Sequence, residues 1–271
     1  MRLTRSLIVL VSSAVMSSTS LIACSGATPG EDMGSAVQDD ETTNGLAMNG
    51  LTANSLVMNG LAMNGLITNS LTTIGLMATP SITSTLDSDP LARLFMQYVV
   101  SCALPSWQTL SILSATYHIE YIYPGDLGLA PQWGVVGGVC DTSCQQWVSA
   151  CAISRVNALG QHVLLSERGE NPGLALAKGE AAAFPDREAT YFGNVFVSPQ
   201  ERYACRALED NQTLIGRVCG HGADVSGCAI DVLKNCHSVC AINNADGSFA
   251  DCTTPTHGTF LQAVTVYRLP Q

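Results

Sequence analysis

From Leu91 onward, apolar side chains recur every three or four positions: Leu91, Leu94, Phe95, Tyr98, Val99 and Cys102. That spacing places them on one face of a helix. Asp89-Pro90 supplies a capping carboxylate and a proline at the first helical position, and Pro105 stops the run. The period then changes to two. Tyr117, Ile119, Tyr121 and Tyr123 alternate against His118 and Glu120, which predicts a strand closed by the turn Pro124-Gly125-Asp126. A second helix is predicted from Asp141 or Thr142 to Ala158, with Gly160 just past its end and Cys144, Trp147, Val148 and Cys151 on one side. Val163 to Leu165, Thr190 to Val197 and Phe260 to Leu269 read as strands. Leu174 to Ala183 reads as a helix broken at Gly179, and Ile230 to Val239 as a short helix carrying Cys236. The mixture predicts a single α+β domain over residues 86–271, with folding beginning near Ser84.

Ahead of that domain the pattern is different. No charged residue occurs from Thr42 to Leu86, and a five-residue repeat runs through Asn44-Gly-Leu, Asn49-Gly-Leu, Asn54-Ser-Leu, Asn59-Gly-Leu, Asn64-Gly-Leu, Asn69-Ser-Leu and Ile74-Gly-Leu. Five helical steps turn about 500°, so the leucines would drift and form no stripe. On a flat strand an odd period sends alternate leucines to opposite faces. The period and central leucine resemble the pentapeptide-repeat β-helix, although that family places a small residue where this chain has Asn. Two alternatives stand: a short coil of that kind, or a spacer rich in Gly, Asn, Ser and Thr.

The N-terminus carries Arg2 and Arg5, an apolar stretch from Leu7 to Met16, and then small polar residues ending in Leu21-Ile22-Ala23-Cys24. This layout is that of an export signal, and its last four residues resemble the lipobox of bacterial lipoproteins. The resemblance implies removal of residues 1–23 and lipidation of Cys24. Residues 24–85 then form the uncharged repeat or tether, and residues 86–271 the cysteine-rich domain. Ser25 after the cysteine resembles the outer-membrane sorting signal of well-known lipoproteins. Loss of Arg2 and Arg5 leaves 10 of the 12 basic residues against 22 acidic ones, a net charge of −12. Such a chain lacks the cations that bind nucleic acid phosphates or anionic lipid. Attachment to the membrane is therefore expected through the lipid, with a protein or glycan as the unidentified partner. With 13% charged and 46% apolar residues, the chain can bury a core.

Export changes the reading of the cysteines. Besides Cys24 there are ten: Cys102, Cys140, Cys144, Cys151, Cys205, Cys219, Cys228, Cys236, Cys240 and Cys252. An even number in an exported chain predicts a disulfide framework. Ten cysteines can pair in about 945 ways, so connectivity stays open. Cys144 and Cys151 lie about 10 Å apart on one helix, too far to bridge, so each is expected to staple that helix to another element. Cys219 with Cys228 and Cys240 with Cys252 would each close a short Gly-containing loop. A metal alternative would set Cys140 and Cys144 against Cys236 and Cys240, with His237 nearby. Yet no Cys-x2-Cys knuckle occurs, and neither a metal nor another cofactor is expected.

The remaining chemistry is sparse. His118-Ile-Glu120 with Cys140 and Cys144 superficially resembles the zinc deaminase pattern but lacks its Pro-Cys-x-x-Cys. His162, His221, His237 and His257 show no metalloprotease spacing, and there is neither a Gly-x-Ser-x-Gly elbow nor a phosphate loop. Arg168, Glu170, Asp186, Arg187 and Glu188 concentrate charge in an Ala- and Gly-rich segment. Two of these carboxylates could act as acid and base on a polymer, or all could be surface ion pairs beside turns. Asn243, Asn244, Asp246 and Asp251 suit a polar turn better than a calcium loop. The domain resembles cysteine-rich bacterial lipoproteins and secreted proteins with Asn-Gly-Leu repeats, on the repeat, Cys144-Gln-Gln-Trp-Val-Ser-Ala-Cys151 and Glu188-Ala-Thr-Tyr-Phe-Gly-Asn194. That resemblance brings no activity with it. The expectation is a non-catalytic binding or structural envelope lipoprotein, with a carboxylate-dependent hydrolase of envelope or extracellular polymers as the alternative.

Overall fold

The computed structural model describes residues 65–158, 163–207, 212–219 and 228–270. The signal, Cys24 and the repeats before Gly65 lie outside the described residues. Helices α1 (Thr73–Met77), α2 (Pro80–Ser88) and α3 (Pro90–Ala103) come first, followed by the hairpin β1 (Thr109–Leu113) and β2 (Glu120–Pro124) and then α4 (Thr142–Ser154). Next are β3 (Leu165–Arg168), α5 (Glu180–Ala183), β4 (Asp186–Asn194), β5 (Glu201–Arg206), α6 (Gln212–Cys219) and β6 (Asp231–Asn235). The chain closes with α7 (Cys236–Val239), β7 (Cys240–Asn243), β8 (Phe249–Thr254), β9 (Gly258–Phe260) and β10 (Val264–Arg268). This is a disulfide-rich α+β fold.

The main sheet has the order β3-β10-β4-β5-β6, antiparallel except for the β5–β6 pair. Its two faces follow from strand alternation. Ala189, Tyr191, Ala204, Val264 and Val266 join the core shared with α3 and α4. Phe192, Tyr203 and Cys205 point the other way, into a second core with Phe249, Cys252 and Phe260 of the three-stranded sheet β7-β8-β9. Each face of the main sheet is thus covered.

The two principal helices begin as their sequences predict. The Asp89 side chain accepts from Leu91 N at 2.9 Å, and Asp141 accepts from Cys144 N at 2.9 Å. However, α4 stops at Ser154, short of the expected Ala158; Gly160 lies outside the described residues. Its terminal carbonyls are taken by a side chain, because Arg217 Nη1 donates to Ser154 O at 3.0 Å and Val156 O at 2.6 Å.

Elsewhere tertiary pairing overrides local pattern. The segment Ile230 to Val239 splits into β6, which pairs with β5, and the single turn α7, capped by Asn235. Phe260 to Leu269 divides into β9 and β10, because Gln146 Oε1 accepts from Leu261 N at 3.1 Å and Gln262 N at 3.3 Å and turns the chain between sheets. β3 starts at Leu165, leaving Val163 and Leu164 exposed, and Leu174 to Ala183 keeps only a 3-10 turn (Pro172–Leu174) and α5. Tyr117 and His118 belong to the hairpin turn, where His118 takes φ 55°, so the strand starts at Glu120.

Packing starts earlier than Ser84. Leu66, Leu71 and Leu76, the central leucines of the last three repeats, are all buried in the main core, as are Ile82 and Leu86. They sit on a 3-10 turn (Leu66–Thr68), an irregular link and α1. Backbone and side chain fasten the segment: Leu71 N donates to Trp133 O at 2.9 Å, and Trp133 Nε1 donates to Asn69 O at 2.7 Å. Truncating Leu71 or Leu76 to Ala should cost about 2–5 kcal/mol of unfolding free energy in urea titrations. Ile74→Ala, at a side chain 72% exposed on the same repeat, should stay within about 0.5 kcal/mol.

Candidate functional site

The densest chemistry lies where the helix-facing side of the main sheet meets the C-terminus of α4. Arg155, just past the helix end, is fully buried, and its Nε donates to both Glu167 oxygens at 3.2 Å. Its Nη2 reaches Glu167 Oε2 at 2.9 Å and Asp126 Oδ2 at 3.4 Å, while Nη1 donates to Ser101 Oγ at 2.8 Å. Ser154 Oγ donates to Glu167 Oε1. A second pair stands beside the first. Arg217 Nε bonds both Glu188 oxygens at 3.0 and 3.1 Å, and Nη2 bonds Glu188 Oε2 at 2.6 Å and the Tyr191 hydroxyl. Arg268 Nε lies 3.6 Å from Glu188 Oε1.

A β-bulge makes the second pair feasible. In the β4–β10 register Val266 opposes Ala189 and Tyr267 opposes Arg187, leaving Glu188 as the extra residue. Strict alternation would aim Glu188 at the second core with Thr190; the extra residue turns it toward α4 and α6 instead. Arg187 consequently faces the three-stranded sheet, with its guanidinium 4.8 Å from the Phe249 ring centroid.

Electrostatics match this packing. Burial opposes the charged form of both guanidiniums, yet Glu167 beside Arg155 and Glu188 beside Arg217 hold them firmly protonated. Burial pushes the Asp126 carboxyl above the ordinary aspartate range, against the pull of Arg155. Burial likewise raises the Tyr191 phenol. A general base or nucleophile needs a free lone pair within reach of substrate. Glu188, at 0% exposure, spends its oxygens on Arg217 and Tyr191. The arrangement is suited to clamping α4, β3, β4 and α6 together rather than to proton transfer.

The other charged residues singled out from sequence scatter. Glu170 is exposed beyond β3, and Asp186 is half-buried at the start of β4. Arg168 faces the opposite side of the sheet from Glu188, 3.4 Å over the Tyr267 ring, donating to Phe184 O at 2.7 Å and Asp246 O at 3.1 Å. Ordinary surface pairing therefore fails for Arg168 and Glu188, both of which are buried on strands. Asp246 Oδ1 accepts from Ser248 N at 2.9 Å and Ser248 Oγ at 2.7 Å, a turn closing the β7–β8 hairpin that holds Asn243 and Asn244. Asp251 lies within β8 at φ 51°. His118 and His237 are exposed, His257 Nδ1 pairs with Glu201 at 3.0 Å, and His162 and His221 lie outside the described residues. Among the described residues no group of three or more His, Cys, Asp or Glu could hold a metal.

All ten cysteines after Cys24 are bridged: Cys102–Cys151, Cys140–Cys144, Cys205–Cys236, Cys219–Cys228 and Cys240–Cys252. Cys219–Cys228 and Cys240–Cys252 are the loop closures that spacing suggested. The expectation for α4 is half corrected. Cys151 does staple it to α3, but Cys144 takes Cys140, four residues upstream at a Cα–Cα distance of 5.1 Å. The extended Asp141 cap swings Cys140 back over the first helical turn, so a local bridge is within reach. The pairs Cys140/Cys144 and Cys236/Cys240 belong to different cores, not to one facing cluster.

Arg155, Glu167, Arg217 and Asp126 were not legible as a group in the sequence. The one available signal is Arg155 itself, a scarce cation two positions behind the apolar run Ala150-Cys-Ala-Ile153. Comparisons with protein-family models, with curated proteins and with solved structures give no match. Among the described residues no helix is long and apolar enough to cross a membrane.

Proposed function

We propose that this chain is an exported envelope lipoprotein, anchored through Cys24 and probing a protein or glycan partner with a non-catalytic, disulfide-braced domain. In this reading the chain between Cys24 and the described residues acts as spacer. The lipobox-like Leu21-Ile22-Ala23-Cys24 and the even set of bridged cysteines support export to an oxidising compartment. Against a hydrolase, the carrying observation is Glu188: this carboxylate, one of the three considered for acid–base work, is buried and engaged by Arg217. Neither Glu170 nor Asp186 joins it in the same ion-pair network. Outer-membrane placement follows from Ser25 by resemblance alone.

The anchor is tested by metabolic labelling with a fatty-acid analogue. Wild-type protein should take up label and fractionate with membranes, whereas Cys24→Ala should do neither. An unlabelled wild-type protein would end the lipoprotein reading. Intact mass before and after alkylation without reductant should show no free thiol in the mature chain.

A further inference from the structure

Four of the bridged cysteines, Cys205, Cys236, Cys240 and Cys252, converge in the second core with Phe192, Phe249 and Phe260. They belong to two bridges, Cys205–Cys236 and Cys240–Cys252. These bridges touch one another, with Cys205 Sγ 3.7 Å from Cys240 Sγ. Both sulfurs are already bonded and carry no hydrogen, so the contact is sulfur against sulfur. A disulfide between them would require about 1.6 Å of further approach.

Local structure explains the convergence. Cys236 opens the single turn α7 and Cys240 follows its end, so the two stand one helical turn apart. Cys205 on β5 meets both, one as its partner and the other as its neighbour. Backbone bonds fix the same positions. Cys240 N donates to Cys236 O, Cys240 opposes Cys252 in the β7–β8 register, and Cys205 opposes Leu233 of β6. The four sulfurs would therefore stay close after one bridge opened. Cys240 is the least buried of them, at 8% exposure against 0–1% for the other three.

We propose that these four cysteines form a thiol–disulfide exchange site, which takes two electrons from a dithiol and re-forms its cross-link as Cys205–Cys240. A thiolate of the dithiol attacks Cys240 Sγ, and the bond to Cys252 breaks with its electron pair left on Cys252. The second thiolate of the dithiol attacks the mixed disulfide, closes the dithiol into its own disulfide and releases Cys240 as thiolate. Cys240 Sγ then attacks Cys205 Sγ across the 3.7 Å contact, and Cys236 leaves as thiolate. The two protons given up by the dithiol finish on Cys252 and Cys236. One bridge is lost, yet β5 stays tied to the β7 side, first through Cys236 and then directly through Cys240. The apolar surroundings disfavour thiolates, so the exchange is slow at low pH and quickens as pH rises. None of these steps depends on the anchor at Cys24.

Dithiothreitol serves as the probe. It would be added in graded amounts to the purified oxidised protein, with samples acid-quenched, alkylated in denaturant and mapped by peptide mass spectrometry. Once Cys252 takes up label, the companion label should move from Cys240 to Cys236 with incubation, and Cys205 should be found linked to Cys240. Raising the pH should speed that move. A companion label that stays on Cys240, with Cys205–Cys236 intact, would overturn the proposal. So would Cys252 becoming labelled only when all ten bridged cysteines are labelled together, because the site would then open only on unfolding. In oxidised Cys236→Ser/Cys252→Ser protein, Cys205 and Cys240 should bridge and leave no free thiol among the four positions. A folded variant with both thiols free would count equally against the exchange, and if that variant does not fold, the wild-type mapping decides by itself.

Discussion

Replacing Glu167 by Ala is expected to lower the unfolding free energy by about 3–5 kcal/mol. Arg155 is fully buried, and the substitution removes three of its bonds, two from Nε at 3.2 Å and one from Nη2 at 2.9 Å. What remains is Ser101 at 2.8 Å and the longer contact to Asp126 at 3.4 Å, too little to compensate a buried guanidinium. The cost comes from stranding a charge, not from losing the net worth of the pair. Removing both partners together, as Arg155→Met with Glu167→Leu, should therefore restore most of the stability. Urea unfolding with the bridges intact measures all of these. A single substitution that costs less than about 1 kcal/mol would show that water or a neighbour reaches Arg155 easily.

The second large effect concerns the bridges. Cys102–Cys151 spans 49 residues of chain and Cys140–Cys144 only four. Loop-closure entropy then assigns about 4 kcal/mol to the first and about 2 kcal/mol to the second. Paired Cys→Ala variants, unfolded without reductant, should keep that order. The first bridge is also coupled to the buried ions: Ser101, which bonds Arg155, adjoins Cys102, and Arg155, just past the end of α4, follows Cys151 by four residues. Combining Cys102→Ala and Cys151→Ala with Glu167→Ala should depart from additivity by about 0.5–3 kcal/mol.

The parts of this fold that were legible in sequence are those where a periodic pattern carries its own boundary signal. Asp89 and Asp141 announced α3 and α4 because a capping carboxylate acts within three residues of its own position. Boundaries set by remote partners were not legible. Arg217 ends α4 from more than sixty positions away, and Gln146 cuts the last strand in two from another element. The Ile230 to Val239 segment reads as helical by itself, but β5 offers Val232 and Leu233 a strand edge with a core on either side. The same holds for the charged cluster. Glu188 was singled out, but its burial depends on a bulge, and a bulge exists only once two strands are in register. The charged residues of the network, Asp126, Arg155, Glu167, Glu188, Arg217 and Arg268, come from six separate stretches of chain, and no local spacing rule connects them.

The distribution of cross-links has a mechanical consequence. No cysteine lies between Cys24 and Cys102, so no disulfide holds the segment 65–101, which is fastened by packing, by the Trp133 clasp and by scattered hydrogen bonds such as Thr73 Oγ1 to Ser111 O. Tension applied to the chain ahead of Gly65 would peel the buried leucines Leu66, Leu71 and Leu76 away in turn, then α2 and most of α3. At Cys102 the load would meet a covalent bond to Cys151, and extension would halt. The domain thus contains a built-in length of slack that yields first, ahead of a hard stop.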